Sequence, residues 1–162
     1  MNKMMFLLIV ALMFIKQGFS QATLTVTGSW TTSIPSTTIV EAGLDYTSGS
    51  SNISSASQSL MTVNSAKNTN AFVYVQKSDI SWDTRLTLSV ARTGTGTGNN
   101  NFSTTNGTTN QAVSNVPQYF FQINPAGGTK VSNIPIQYTI TGYTVLLPVK
   151  SYTTTVLYTV TN

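Results

Sequence analysis

Residues 22–30 read Ala-Thr-Leu-Thr-Val-Thr-Gly-Ser-Trp. Leu24, Val26, Gly28 and Trp30 fall on one side of an extended chain, and Thr23, Thr25, Thr27 and Ser29 on the other. Strict alternation over this length is the mark of a half-buried strand. The same period returns at residues 152–161, where Val156, Tyr158 and Val160 share one face. Between them lie further candidates. Residues 60–66 are one, and residues 71–77 are rich in β-branched and aromatic side chains, which suit a pleated surface. Residues 85–92 place Leu86, Leu88 and Val90 inward, and residues 118–123 hold Tyr119, Phe120 and Phe121. Residues 134–141 alternate through Ile136, Tyr138 and Ile140, with Pro135 at the expected strand start, where proline is tolerated. Residues 37–40 and 143–147 are weaker strand candidates.

Turn-forming residues separate these runs. Residues 45–59 are rich in serine and glycine, and Asn124-Pro125-Ala126-Gly127-Gly128 is the strongest turn signal. The longest polar stretch, residues 93–115, begins Thr93-Gly94-Thr95-Gly96-Thr97-Gly98-Asn99-Asn100-Asn101 and is expected to be irregular. No helical period extends beyond the first twenty residues. About eight short strands with regular turns predict an all-β fold. The expected form is a single immunoglobulin-like antiparallel β-sandwich, with a jelly roll as the alternative.

The first twenty residues are a separate matter. Lys3 precedes an unbroken apolar run of 12 residues, from Met4 to Ile15, followed by Gly18-Phe19-Ser20-Gln21-Ala22. A membrane-crossing helix needs about 20 apolar residues. The pattern predicts a signal peptide over residues 1–20 and a folded domain over 21–162. The Phe-Ser-Gln-Ala ending resembles leaders of bacteria of the Bacteroidota type. Losing Lys3 and Lys16 leaves six basic residues against four acidic ones, a net of +2. No basic cluster remains to grip nucleic acid. No membrane insertion is expected once the leader is gone. The predicted location is outside the cell or at its surface, with the periplasm also compatible.

Only 7% of residues are charged. Polarity comes instead from Thr, Ser and Asn, so strand edges have few of the charges and prolines that normally prevent edge-to-edge pairing. With no His and no Cys, Ser-His-Asp and Cys-His catalysis are excluded, as are zinc sites built on those ligands. The chain has four carboxylates, Glu41, Asp45, Asp79 and Asp83. A glycosidase would need two of them facing each other across a cleft, and nothing in their spacing calls for it. No enzymatic activity, cofactor or metal is expected.

Asp79-Ile80-Ser81-Trp82-Asp83 is the densest acidic segment. It could supply hard oxygen ligands to Ca²⁺, but a hairpin turn is the simpler reading. Trp82, beside that turn, is the best candidate for an exposed ring. With Asp79, Asp83 and the amides of Asn99, Asn100 and Asn101, it forms the candidate ligand-contact set, a glycan being the ligand such groups suit. Trp30, Tyr74, Tyr138 and Tyr158 are expected in the core.

Lys150-Ser151-Tyr152-Thr153-Thr154-Thr155-Val156-Leu157-Tyr158-Thr159-Val160-Thr161 resembles the last strand of small secreted bacterial β-sandwiches, including fimbrial-type subunits and surface adhesin modules. That resemblance implies a non-enzymatic surface or structural protein that adheres or self-assembles. It also implies that an N-terminal strand such as Leu24, Val26, Gly28 and Trp30 could complete a neighbour's sheet. An ordinary first strand within the chain's own sheet is the preferred reading. The expected partner is a second copy or another surface protein, with a glycan as the alternative.

Overall fold

The computed structural model describes residues 21–33, 50–65, 69–98, 101–125 and 130–162. The signal peptide, the strand expected at 37–40, and Glu41, Asp45, Asn99 and Asn100 lie outside the described residues, as do residues 126–128 of the expected turn. The strands are β1 (Thr23–Thr27), β2 (Ser51–Ile53), β3 (Ser59–Asn64), β4 (Ala71–Ser81), β5 (Thr87–Arg92), β6 (Thr97–Gly98), β7 (Phe102–Thr105), β8 (Gln111–Ala112), β9 (Gln118–Pro125), β10 (Lys130–Thr141) and β11 (Thr153–Thr161).

The strands make two antiparallel sheets packed face to face, an all-β sandwich as expected. The first runs β1-β3-β10-β5-β8, with β2 and β6 also paired to β10. The second runs β11-β4-β9-β7. The pairs β3·β10, β4·β9 and β5·β8 are nested in the sequence, one inside the next. Such nesting is the connectivity of the jelly-roll alternative. In the immunoglobulin order the last two strands are neighbours, whereas here β11 pairs with β4.

Alternation decides what is buried. Met61 and Val63 of β3, Leu88 and Val90 of β5, and Val131, Ile134, Ile136 and Tyr138 of β10 face Ala71, Val73 and Val75 of β4 and Phe120, Phe121 and Ile123 of β9. Each large side chain so buried contributes about 1.5–3 kcal/mol relative to exposure. Two of the three bulges among the described residues adjust this core pattern, the third lying between Thr153 and Thr154 of β11. On β9 the register slips between Val73 and Tyr74 of its partner, so that adjacent Phe120 and Phe121 both point inward. On β10 it slips between Val131 and Ile134, where Asn133 takes φ 56°. Strand β10 therefore begins five residues before Pro135. The proline does not start the strand but follows the bulge, the other position where a missing N–H is tolerated.

Two further expectations change. Residues 143–147 form no strand but a turn, closed by Leu147 N donating to Thr144 O at 3.0 Å. Within residues 93–115, three short strands, β6, β7 and β8, replace the irregular loop. Their Thr, Ser and Gln residues carry little apolar period, so pairing alone reveals them.

Candidate functional site

The acidic segment sits on the last turns of β4 and just beyond it. Asp79 is not in a hairpin turn; it is a strand residue beside the bulge between Thr153 and Thr154. Its carboxylate accepts from Lys77 Nζ at 2.7 and 2.6 Å and from Thr154 Oγ1 at 2.9 Å. Desolvation raises the Asp79 pKa, but hydrogen bonds from Lys77 and Thr154, the Lys77 charge and Asn115 together carry it below the ordinary value. Asp83 accepts from Arg85 Nε at 2.8 Å, Arg85 Nη2 at 2.9 Å and Arg85 N at 3.0 Å. These side-chain and backbone hydrogen bonds hold its carboxyl low, and Lys150 adds to the effect. Arg85 Nη1 also donates to Leu146 O at 2.7 Å, tying down the connection between β10 and β11.

Trp82 is half-buried rather than displayed. Its Nε1 donates to Leu86 O at 2.9 Å, its ring packs against the core, and Lys77 Nζ lies 5.6 Å from the ring centroid. Asp79, Trp82 and Asp83 thus form a latch between β4, β5 and β11. Each carboxylate is held by its own cation two residues away, and the contacts that join separate segments are the hydrogen bonds of Thr154 to Asp79, Arg85 to Leu146 O and Trp82 to Leu86 O. Asn101 lies exposed just before β7.

The other sequence-selected residues belong to β1 and its exit. Strand β1 pairs antiparallel with β3 in its own sheet, from Thr23↔Asn64 to Thr27↔Leu60. Leu24, Val26 and Trp30 pack against the core, and Trp30 stacks on Tyr138 with centroids 6.3 Å apart. Gly28 has φ 117°, and a Cβ there would lie 2.5 Å from Gln58 O, so the chain leaves β1 by a path closed to other residues.

Two features were missed by the sequence reading. The first is Arg92, 4% exposed at the end of β5. Its Nη1 donates to Gly94 O at 2.6 Å and its Nη2 to Asn106 O at 2.9 Å, while Cζ lies 5.6 Å from the Phe121 ring centroid. Burial lowers its pKa. The signal was present: Leu86, Leu88, Val90 and Arg92 occupy one alternating face, so the period itself directs a cation inward. The second feature is the outer face of the second sheet. Phe72, Tyr74 and Gln76 point away from the core, which corrects the expectation that Tyr74 is a core residue. Tyr74 meets Tyr119 edge-on at 6.0 Å, Tyr119 Oη accepts from Asn106 Nδ2 at 3.1 Å, and the Gln122 side-chain amide donates to that of Asn124. Leu157 of β11, opposite Gln76, lies at the margin of this face and is 40% exposed.

The open flank lies at β1 and β11, which come close together where the two sheets end. Among the described residues, β1 is paired only to β3, and β11 only to β4. No family model, curated protein or solved structure matches the chain. No helix among the described residues is long and apolar enough to cross a membrane.

Proposed function

We propose that this chain is exported, loses its first twenty residues, and acts at or beyond the cell surface by non-covalent association, as an adhesive or self-assembling protein rather than a catalyst. The observation that carries this reading is the open flank. Its two strands alternate exposed and half-buried residues throughout, neither contains a charged residue, and each has one unpaired side among the described residues. Edges of this kind invite pairing unless guarded. The ion pairs of Asp79 and Asp83 support the non-catalytic part, because both carboxylates are held low and bound to neighbouring cations. The test is to recover the protein from its natural host, determine its N-terminus by mass spectrometry, and measure its mass by light scattering with and without host surface material. Cytosolic recovery with residues 1–20 attached would end this reading. So would a strict monomer that binds no surface.

A second reading has its own observation. The outer face of the second sheet offers tyrosine rings beside amide side chains, the pairing of groups that stacks on sugar rings and hydrogen-bonds their hydroxyls. A glycan ligand would then be read by Tyr74, Tyr119 and Asn106 rather than by Trp82. Glycan-array binding abolished by Tyr119→Ala and indifferent to Trp82→Ala is the expected result; the reverse pattern would return the site to Trp82.

A further inference from the structure

We infer that β11 is a self-complementary edge through which two copies of this chain pair, antiparallel and centred on Leu157, joining their second sheets into one; the inference rests on the self-assembling form of the reading above and names its surface. Strand β11 reads Thr-Thr-Thr-Val-Leu-Tyr-Thr-Val-Thr from Thr153 to Thr161. Antiparallel strands related by a two-fold axis perpendicular to the sheet place one residue opposite its own copy. Centring on Leu157 uses the whole strand. It sets Val156 opposite Tyr158, Thr155 opposite Thr159, Thr154 opposite Val160 and Thr153 opposite Thr161.

Every pair in this register is a favourable one. Threonine meets threonine or valine, a β-branched side chain meets an aromatic ring, and leucine meets leucine. Faces are also preserved. Thr154, Val156, Tyr158 and Val160 are the half-buried set, while Leu157, Thr155 and Thr159 are exposed. The two-fold axis returns each set to its own side, so the half-buried set meets only itself. Shifting the centre to Thr159 shortens the overlap and sets Leu157 against Thr161. The edge carries no Lys, Pro, Gly or acidic residue to oppose such pairing. A contact in which one patch meets its own copy closes as a dimer and goes no further. An unlike partner would need no such symmetry, and the near-palindrome of β11 favours a second copy of the same chain.

The test uses the full chain and light scattering across a wide concentration range. The native protein is expected to dimerise. Leu157→Lys and Leu157→Asp should each weaken the dimer by about tenfold or more, because like charges would face each other at the axis. Mixing the two variants should restore it. Since the chain has no cysteine, Leu157→Cys should oxidise to a covalent dimer. Thr153→Cys should do so only when mixed with Thr161→Cys. A native monomer at all concentrations overturns the inference, as do Leu157→Lys dimers, a mixture that stays monomeric, or Leu157→Cys that cross-links no better than Thr153→Cys alone. A monomer that still binds host surfaces would sink this dimer and leave the wider reading standing. Dimers indifferent to residue 157 would show that self-association uses another surface.

Discussion

The second sheet has two edges, and they are finished in opposite ways. At one edge, β7 has four residues and is followed by Asn106 and Gly107, both at positive φ. Beyond it the chain is drawn inward, with Arg92 N donating to Gly107 O at 2.6 Å and the Arg92 guanidinium gripping Asn106 O. At the other edge, β11 has nine residues, alternates exposed and half-buried side chains without interruption, and has no partner on its outer side among the described residues. Both edge strands have one unpaired side among the described residues, but the irregular, polar edge is short and pinned at its end, and the regular, more apolar edge is long. A buried cation must find oxygen acceptors or bear a large desolvation cost. Arg92 meets that need in part: Nη1 and Nη2 donate to the backbone carbonyls of Gly94 and Asn106, while the buried Nε has no protein acceptor among the described residues. Regular alternation makes no such demand; it specifies a face but leaves an edge free.

The contrast breaks most sharply if the pinned edge is undone. Phe121→Ala removes a fully buried ring and the surface on which Arg92 rests. It should cost roughly 3–5 kcal/mol in chemical denaturation. Arg92→Ala should cost about 2–4 kcal/mol, since it leaves the carbonyls of Gly94 and Asn106 without a donor and opens a gap over Phe121. It should also make residues 101–115 the first site of limited proteolysis, cut earlier than in the unsubstituted protein. At the open edge, Val160→Ala trims a half-buried side chain and should cost only about 1 kcal/mol. If Arg92→Ala proves as mild as Val160→Ala, the pin is decorative and the contrast between the edges collapses.

This division also separates what the sequence reveals from what it conceals. Strands β1, β5, β10 and β11 stand where period-two runs predict them, because each buries one face and shows the other, and β3, β4 and β9 stand where the other candidate runs lie. Strands β2, β6, β7 and β8 escaped notice, β2 inside the loop expected at 45–59, because Ser51-Asn52-Ile53, Thr97-Gly98, Phe102-Ser103-Thr104-Thr105 and Gln111-Ala112 are placed by partners far along the chain, not by their own pattern. Bulges are hidden for the same reason. Nothing local announces that Phe120 and Phe121 will both be buried, or that Asn133 will take φ 56°. Of the candidate site, Asp79, Trp82 and Asp83 do gather at one end of the sandwich, but as a latch. The alternating period alone does not say which face of β4 is inward; only the packing tells Val73 and Val75 from Phe72 and Tyr74.

The open flank can be probed from the alkaline side. Burial, the proximity of Tyr138 and a 3.5 Å hydrogen bond to the Tyr138 hydroxyl push the Tyr158 pKa far upward. Burial likewise raises that of Tyr143 to about 12, against a small opposing hydrogen bond with the Asn52 backbone. An unfolded tyrosine ionises near pH 10. Between that pH and the raised values, the unfolded chain releases protons that the folded chain keeps. Stability is therefore full below about pH 10 and falls as pH rises beyond it. Tyr158→Phe should flatten that fall while costing less than about 1 kcal/mol at pH 7, because the bond it removes is long. Denaturation midpoints at neutral pH and above pH 10 measure both. An unchanged alkaline slope in the variant would remove Tyr158 from the account.

The smallest effect sharpens the comparison from the acid side. Asp79 and Asp83 both titrate below the ordinary aspartate value of 3.8. The stability they add is present above that pH and is lost as pH falls through their lowered values. Both pairs face solvent, so the total loss is modest and salt should shrink it. Its location is what matters. Asp79 holds Thr154 at the start of β11, and the Asp83–Arg85 pair holds Leu146 just before it. At the pinned edge the acceptors of Arg92 are carbonyls, which do not titrate. Acidification to about pH 2.5 should therefore loosen β11 before β7. In hydrogen exchange, the amides of Thr154 and Thr155 should lose protection relative to those of β5 and β7, and Asp79→Asn should reproduce that loss at neutral pH. Equal loosening of both edges would mean that the latch does not hold β11 and that the strand's order comes from its pairing with β4 alone.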